Sequence, residues 1–480
     1  MVKSMRLIFS SEDRFLKFLR KFIGTRDFYR HVLVLTVPIM IQNGITNFVN
    51  MLDNVMVGRV GTVEMTGVAV TNQLFFVFNL CIFGAVSGAG IFGAQFHGNG
   101  DAKGVRDTFR FKLLFCSLIC LLGIGIFVFS GRELIDIYLR GEGNPEDAAA
   151  SLRFAREYMN IMLVGLLPYT VVQCYSSTLR ETGKSVPPMY AGIIAVVLNL
   201  VLNYLLIFDH FGFKGLGVNG AAIATVVSRF AELMIISVWT HVHRGVNPFI
   251  IGAFKSIRIP RALIWQITLK GLPLMVNEAL WASGMAVLNQ CYSLRGLDVV
   301  AANNISQTFF NVFSVAFMAV GAGIGIIVGQ NLGANEPEKA MDSARKLITF
   351  SLLVSIVVSL IYIFCAEFIP RLYNTTDAVK DLATKLMQIS AAAMPLDAFA
   401  NASYFTLRSG GKVFTTFIFD SCFVWVVSVP VAILLSRCTG LPILPLYAIC
   451  CSLSFIKDVI GFIFVKKGIW IKNLTNSKGL

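Results

Sequence analysis

The sequence predicts an all-α integral membrane protein of twelve transmembrane helices, arranged as two parallel six-helix repeats. Three observations predict it. Apolar segments of about 20 residues recur along nearly the whole chain, each long enough to cross a hydrocarbon core of about 30 Å. Charged residues make up only 14% of the 480 residues, where a soluble domain carries about a quarter. The first half of the chain matches the second at a nearly constant offset. Every span must be helical, because lipid offers no partner to a free backbone group.

In order, the spans run over residues 31–57, 66–94, 111–130, 157–179, 188–208, 220–241, 264–293, 301–329, 346–366, 384–407, 413–435 and 443–465. A mean hydropathy of +0.71, with forty Phe against twenty-seven Asp plus Glu, leaves no room for a sizeable soluble domain. Residues 1–30 carry eight Lys or Arg among Phe and Leu and read as a basic amphipathic segment on the membrane surface. The first span is too long, and too far from the start, for a cleaved signal peptide. The expected organisation is therefore this segment, an N-lobe over 31–241 holding spans one to six, a linker over 242–263, a C-lobe over 264–466 and a tail over 467–480.

The basic residues orient the chain. With the N-terminus inside, 28 of the 41 Lys and Arg fall on inner segments, counting the span-edge residues Lys112, Lys270 and Lys346 with their adjoining loops. Eleven fall on outer loops, counting Lys385 at the edge of span ten, and Arg229 and Lys457 lie well within spans. This positive-inside bias predicts a multi-pass protein of the inner (plasma) membrane with both termini cytoplasmic. It also assigns the +14 charge to contact with anionic lipid and argues against nucleic acid as a partner. Ten Cys without a CxxC pair read as buried thiols, and His241 and His243 lack a third metal ligand nearby. Gly183-Lys184-Ser185 resembles the end of a phosphate-binding loop, but Thr178 stands where that loop needs glycine, which excludes an ATP site. No nucleophile–base pair marks an enzyme.

At an offset of 235, Pro38 meets Pro273, Gly61 meets Gly296, and Phe75 and Phe78 meet Phe310 and Phe313. Gly88, Gly90, Gln95 and Gly98 meet Gly323, Gly325, Gln330 and Gly333. After a seven-residue deletion the offset becomes 228, and Thr178, Leu179, Arg180, Gly183 and Lys184 meet Thr406, Leu407, Arg408, Gly411 and Lys412. Six is even, so both repeats enter the membrane from one side. Transporters built this way place a cavity between halves and rock one half against the other. The repeated glycines predict close helix packing. Pro38 and Pro273, inside spans one and seven, are hinge candidates.

Carboxylates inside spans are the chemical signal, since burying a charge in lipid costs at least about 2.5 kcal/mol on insertion scales. Asp53, Glu278 and Asp397 face Leu288, Asn43 and Tyr169 in the other repeat, so they are not duplicated structural features. Asp53 shares its depth with Asn199 and Asn203, which lie one helical turn apart, and with Thr225 on the next span. One carboxylate, two amides and a hydroxyl suit Na⁺, and the carboxylate alone suits a proton. Glu278 and Asp397 lie near mid-membrane, with no Lys or Arg expected at that depth in the C-terminal half. Asn277, Trp281, Asn401, Tyr404 and Phe405 would line the same cavity, where carboxylates with aromatic neighbours suit an organic cation. The alternative, a flippase for lipid-linked oligosaccharide or a related precursor, would carry more basic residues at mid-depth.

The chain resembles the multidrug and toxic compound extrusion (MATE) family in its two six-helix repeats and in three stretches: LDNVMVGRVG at 52–61, GQNLGA at 329–334 and LRSGG at 407–411. The resemblance implies V-shaped lobes, a monomer without obligate protein partner, and efflux of cationic amphiphilic compounds driven by inward Na⁺ or H⁺, with no other cofactor. By residue, Asp53 matches the family's first-helix aspartate, and Asn199 and Asn203 match its fifth-helix pair. Asp397, eleven residues before Arg408, resembles the tenth-helix aspartate of the NorM-like branch. Glu278 departs from that branch, whose glutamate stands about one turn further on.

Overall fold

The computed structural model describes residues 21–58, 60–139, 145–208, 215–373 and 375–475, all helix and connecting turns without a strand among them. The first half comprises α1 (Arg26–Gly58), α2 (Thr62–Gly98), α3 (Ala102–Leu139), α4 (Pro145–Val164), α5 (Leu166–Glu181), α6 (Val186–Ile207) and α7 (Val218–Val242). The second comprises α8 (Arg261–Ser293), α9 (Leu297–Gly333), α10 (Pro337–Ala366), α11 (Asp377–Ser409), α12 (Val413–Phe417), α13 (Val429–Cys438), α14 (Ile443–Ser452) and α15 (Ser454–Lys466). Two π-helical turns, Ile418–Cys422 and Val424–Ser428, join α12 to α13 into one rod. Most of the predicted basic segment, residues 1–20, lies outside the described residues.

Each of the twelve predicted spans coincides with a helix or a broken helix. Among the described residues, ten helices are long and apolar enough to cross a membrane, and the bent α4–α5 pair makes an eleventh. The bend of 47° falls at Gly165, three residues before Pro168. Proline has no N–H to offer the carbonyl four residues back, so the helix breaks there. The twelfth span is α11, which is 33 residues long but carries Asp377, Lys380, Asp381, Lys385, Asp397 and Arg408. It packs against α9, α10 and α15 rather than lipid, so it tolerates a polarity that would be costly on an outer helix.

The chain forms two compact units. The first takes in residues up to Met40, Gly98–Gly100 and the chain from Leu280 to Ser477; the second takes in Ile41–His97 and Asp101–Ala279. The division therefore falls inside α1, two residues beyond Pro38, and inside α8, six residues beyond Pro273. Both helices continue through their prolines.

Within the second unit, α2 lies directly on the first part of α8. A Cβ on Gly88 would overlap the Cα of Gly271, so only glycine permits this approach. Within the first unit, the first part of α1 lies on α9 and α10. There Thr36 fills the space beside Gly323, and the Tyr29 and Phe350 rings meet at 5.2 Å. The later part of α8 is held by Trp425, whose indole N–H donates to the Leu280 carbonyl at 2.8 Å.

Candidate functional site

In the second unit, α6 and α7 bring three of the predicted residues into one hydrogen-bonded chain. Asn203 Nδ2 donates to Asn199 Oδ1 at 3.2 Å, Asn199 Nδ2 donates to Thr225 Oγ1 at 3.3 Å, and Thr225 Oγ1 donates to the Ala221 carbonyl at 3.0 Å. The i, i+4 spacing of the asparagines stacks them on one face, and both are buried. Asp53 lies in α1, but its side chain falls outside the described residues.

The same unit contains a buried ion pair absent from the sequence reading. Lys112, counted above with an inner loop, lies eleven residues into α3 and is fully buried. Its Nζ reaches Glu181 Oε1 at 2.6 Å and Oε2 at 2.7 Å, Ser177 Oγ at 2.9 Å and Thr178 Oγ1 at 3.1 Å. Gly90 and Gly93 of α2 make the room: a Cβ on Gly90 would stand 2.7 Å from one carboxylate oxygen, and one on Gly93 would overlap the other. At the two offsets, Lys112 aligns with Leu347 and Glu181 with Ser409, so both charges vanish together in the second repeat. That paired loss is the signal that would have exposed the ion pair.

The repeat also relates the two basic residues found within spans, since Arg229 and Lys457 are 228 apart. In the second unit the Arg229 guanidinium lies over the Tyr169 ring at 5.1 Å and donates to the Gly165 carbonyl at 3.3 Å, at the break between α4 and α5. In the first unit Lys457 Nζ donates to Asp420 Oδ1 at 2.7 Å and lies 5.2 Å from the Phe419 ring. Tyr169 is the repeat equivalent of Asp397. Both in-span cations thus have an aromatic neighbour, and that of the second repeat also has a carboxylate, Asp420, as a direct partner.

Asp397 accepts from Ser454 Oγ at 3.2 Å. Lys457 stands one turn beyond Ser454 on α15. This corrects the expectation that no cation lies at that depth in the C-terminal half: Lys457 was visible as an in-span residue, but only packing shows which way it faces. Asn401 lies against α9, where a Cβ on Gly321 would overlap its Oδ1. Tyr404 and Phe405 meet edge to face at 5.4 Å, and the Arg408 guanidinium lies 5.8 Å and 5.6 Å from their rings. A resident cation therefore already occupies the aromatic surface predicted for a cationic ligand. Trp281 packs at the edge of the hydrophobic core of this first unit. Asn277, fully buried, and Glu278, half-buried, belong to the second unit.

A family model described as MatE matches residues 38–205 and again 273–434. The two matches begin 235 residues apart, at Pro38 and Pro273, which is the offset of the internal repeat. The chain is similar to the probable multidrug resistance protein NorM of Thermotoga maritima, 24% identical over 456 residues that span 92% of this chain and 93% of the relative. It is similar also to the multidrug resistance protein MdtK of Proteus mirabilis, 26% identical over 409 residues, covering 85% and 88%. An outward-facing multidrug resistance MATE transporter of the MOP superfamily shares the fold, with a TM-score of 0.82 at 19% identity over 93% of this chain and 97% of its own. With more than half of its residues matched by the family model in two copies, this multi-pass chain belongs to the MatE family, the multidrug and toxic compound extrusion transporters, and is not an enzyme.

Proposed function

We propose that the chain is a secondary active antiporter that exports cationic, amphiphilic compounds in exchange for H⁺ or Na⁺. The observation that carries this reading is the charge balance inside the first unit. Asp397 on α11, Asp420 in the π-helical stretch and Asp458 on α15 stand near the amine of Lys457, which pairs with Asp420. An uncompensated carboxylate in that setting takes up a proton or a cation. The names of the relatives, multidrug resistance proteins, support export of toxic compounds as the task. The basic bias of the predicted inner segments supports a plasma-membrane protein with both termini cytoplasmic, and the family resemblance supports a monomer.

Exchange requires that one carboxylate set serve ion and drug at different times. In the inward-open state the acids release their coupling ion and the drug enters. In the outward-open state the ion binds and disfavours the drug. The division of the two units just beyond Pro38 and Pro273 supports these prolines as the points where α1 and α8 bend. Asp53 with Asn199, Asn203 and Thr225 is the corresponding ion-coupling group of the N-lobe.

The test is transport by protein reconstituted in vesicles, with a pH gradient and a Na⁺ gradient imposed in turn. Ethidium movement driven by at least one gradient is expected, and its loss in Asp397→Asn. Uptake indifferent to both gradients would remove the antiport reading.

A further inference from the structure

We infer that Arg132, Arg153 and Arg156 form a binding site for a phosphate group, of the kind an anionic phospholipid carries, on the membrane face opposite the basic inner segments. The three arginines line one open cleft of about 350 Å³ between the far end of α3 and the middle of α4, wholly inside the second unit. Glu157 and Asn160 complete its polar wall. Arg132 lies two residues beyond predicted span three, and Arg156 immediately precedes predicted span four. The cleft therefore opens at the level of lipid headgroups, outside the hydrocarbon core.

Charge is sorted in this segment. Residues 131–156 hold four arginines and five acids. Three of the arginines line the cleft, whereas none of the acids described there, Glu133, Asp136, Glu146 and Asp147, does so. Glu157 is the acid in the wall, and it is already engaged. Arg153 Nε stands 3.7 Å from its Oε1, and Asn219 Nδ2 of α7 donates to its Oε2 at 3.1 Å. Three guanidiniums against one carboxylate leave the lining at +2. Among the described residues, Arg132 and Arg156 make no hydrogen bond or ion pair. All three arginines are exposed, so water screens their mutual repulsion and a ligand can reach them. A guanidinium presents a planar fork of donors that matches phosphate oxygens, and a tetrahedral phosphate has enough oxygens to bridge two forks at once.

The cleft is not a feature of the repeat. Helices α3 and α10 begin 235 residues apart, at Ala102 and Pro337, which sets Arg132 against Glu367. At the offset of 228, Arg153, Arg156 and Glu157 meet Asp381, Thr384 and Lys385. The Arg153–Glu157 pair thus recurs with its polarity reversed, as Lys385 and Asp381 at 2.6 Å. Both repeats pack the same helices, so packing does not call for the arginines. The topology rule does not call for them either: four of the eleven outer Lys and Arg fall in this one segment, on the side that the rule keeps poor in bases. Basic pockets at a headgroup level are a recognised means of holding anionic lipid.

Binding is measured on the full-length protein in non-ionic detergent. Native mass spectrometry counts retained phosphatidylglycerol, with phosphatidylcholine as the zwitterionic control. Equilibrium dialysis with radioactive inorganic phosphate forms a second arm. The double variant Arg132→Gln/Arg156→Gln is expected to retain one phosphatidylglycerol fewer than wild type, or to bind phosphate about fivefold more weakly per arginine removed, with phosphatidylcholine retention unchanged. Loss in the lipid arm alone identifies a headgroup as the ligand, and loss in the phosphate arm identifies a solute. The basic inner segments are the same in all variants, so the difference from wild type reports this cleft. Ala149→Asp keeps every arginine and places at the cleft wall the acid found at its repeat equivalent, Asp377. It should act in the same direction, and it covers the case in which the double variant does not fold. Retention of phosphatidylglycerol and phosphate at wild-type levels by either variant would overturn the assignment.

Discussion

Replacing Lys112 by Leu, the residue at its repeat equivalent, should destabilise the protein by about 3–5 kcal/mol, because it leaves the Glu181 carboxylate buried without its counter-charge. The structure supports the upper part of that range. Both carboxylate oxygens touch the amine, at 2.6 and 2.7 Å, the Lys112 side chain is 0% exposed and that of Glu181 only 7%. Glu181→Ser, the other repeat equivalent, strands the amine with only Ser177 and Thr178 as partners and should cost a similar amount. The double variant removes both charges at once, so no lone ion remains. It should lie within about 2 kcal/mol of wild type, the residue being the packing defect left by two smaller side chains. The implied coupling is several kcal/mol, well above the error of a double-mutant cycle. Unfolding by denaturant titration in mixed micelles supplies the midpoints, and monodispersity after heating supplies an independent ranking. Additive losses in the double variant, or single variants as stable as wild type, would refute the claim that these two groups form one electrostatic unit.

Three further outcomes follow from the geometry. Gly88→Leu should lower stability by roughly 1–3 kcal/mol through overpacking against Gly271, seen as an earlier thermal transition, whereas Gly125→Leu, with open space around it, should not. Lys457→Met should destabilise by about 3 kcal/mol or more by stranding Asp420, and adding Asp420→Asn should recover most of the loss in the same melting assay. Pro38→Ala should leave the melting behaviour within about 1 kcal/mol of wild type while slowing gradient-driven ethidium movement; unchanged transport by a folded variant would show that α1 does not bend there.

Much of the architecture was readable before any coordinates. The spans follow from hydropathy, and the repeat follows from a handful of prolines, glycines and an Arg-x-x-Gly-Lys run. The chain from Asn203 through Asn199 to Thr225 was readable because i, i+4 spacing and depth counting locate side chains along a helix. Features that depend on which way a helix is turned were not readable. Lys112 sits near a span edge, where a depth count assigns it to water, and only rotation of α3 toward α5 buries it. Lys457 has no address in sequence until α15 is packed against the π-helical stretch that carries Asp420. The break at Gly165 was hidden because Pro168 hardly alters an apolar average. Two missed signals were within reach: the joint loss of Lys112 and Glu181 in the second repeat, and the alignment of Arg229 with Lys457 at the offset that already paired Tyr169 with Asp397.

Sequence repeat and compact unit do not coincide in this chain. The leading end of α1 belongs with the second repeat, and the leading end of α8 belongs with the first. That reciprocal exchange is the topology of a swapped dimer whose two protomers have been fused into one polypeptide. A chain cut in the 242–263 connection would yield two fragments, each missing the helix end that completes its own core. Neither fragment is then expected to fold alone, while co-expression of both should reassemble the transporter. An ancestral single-repeat protein would have needed a second copy of itself from the outset.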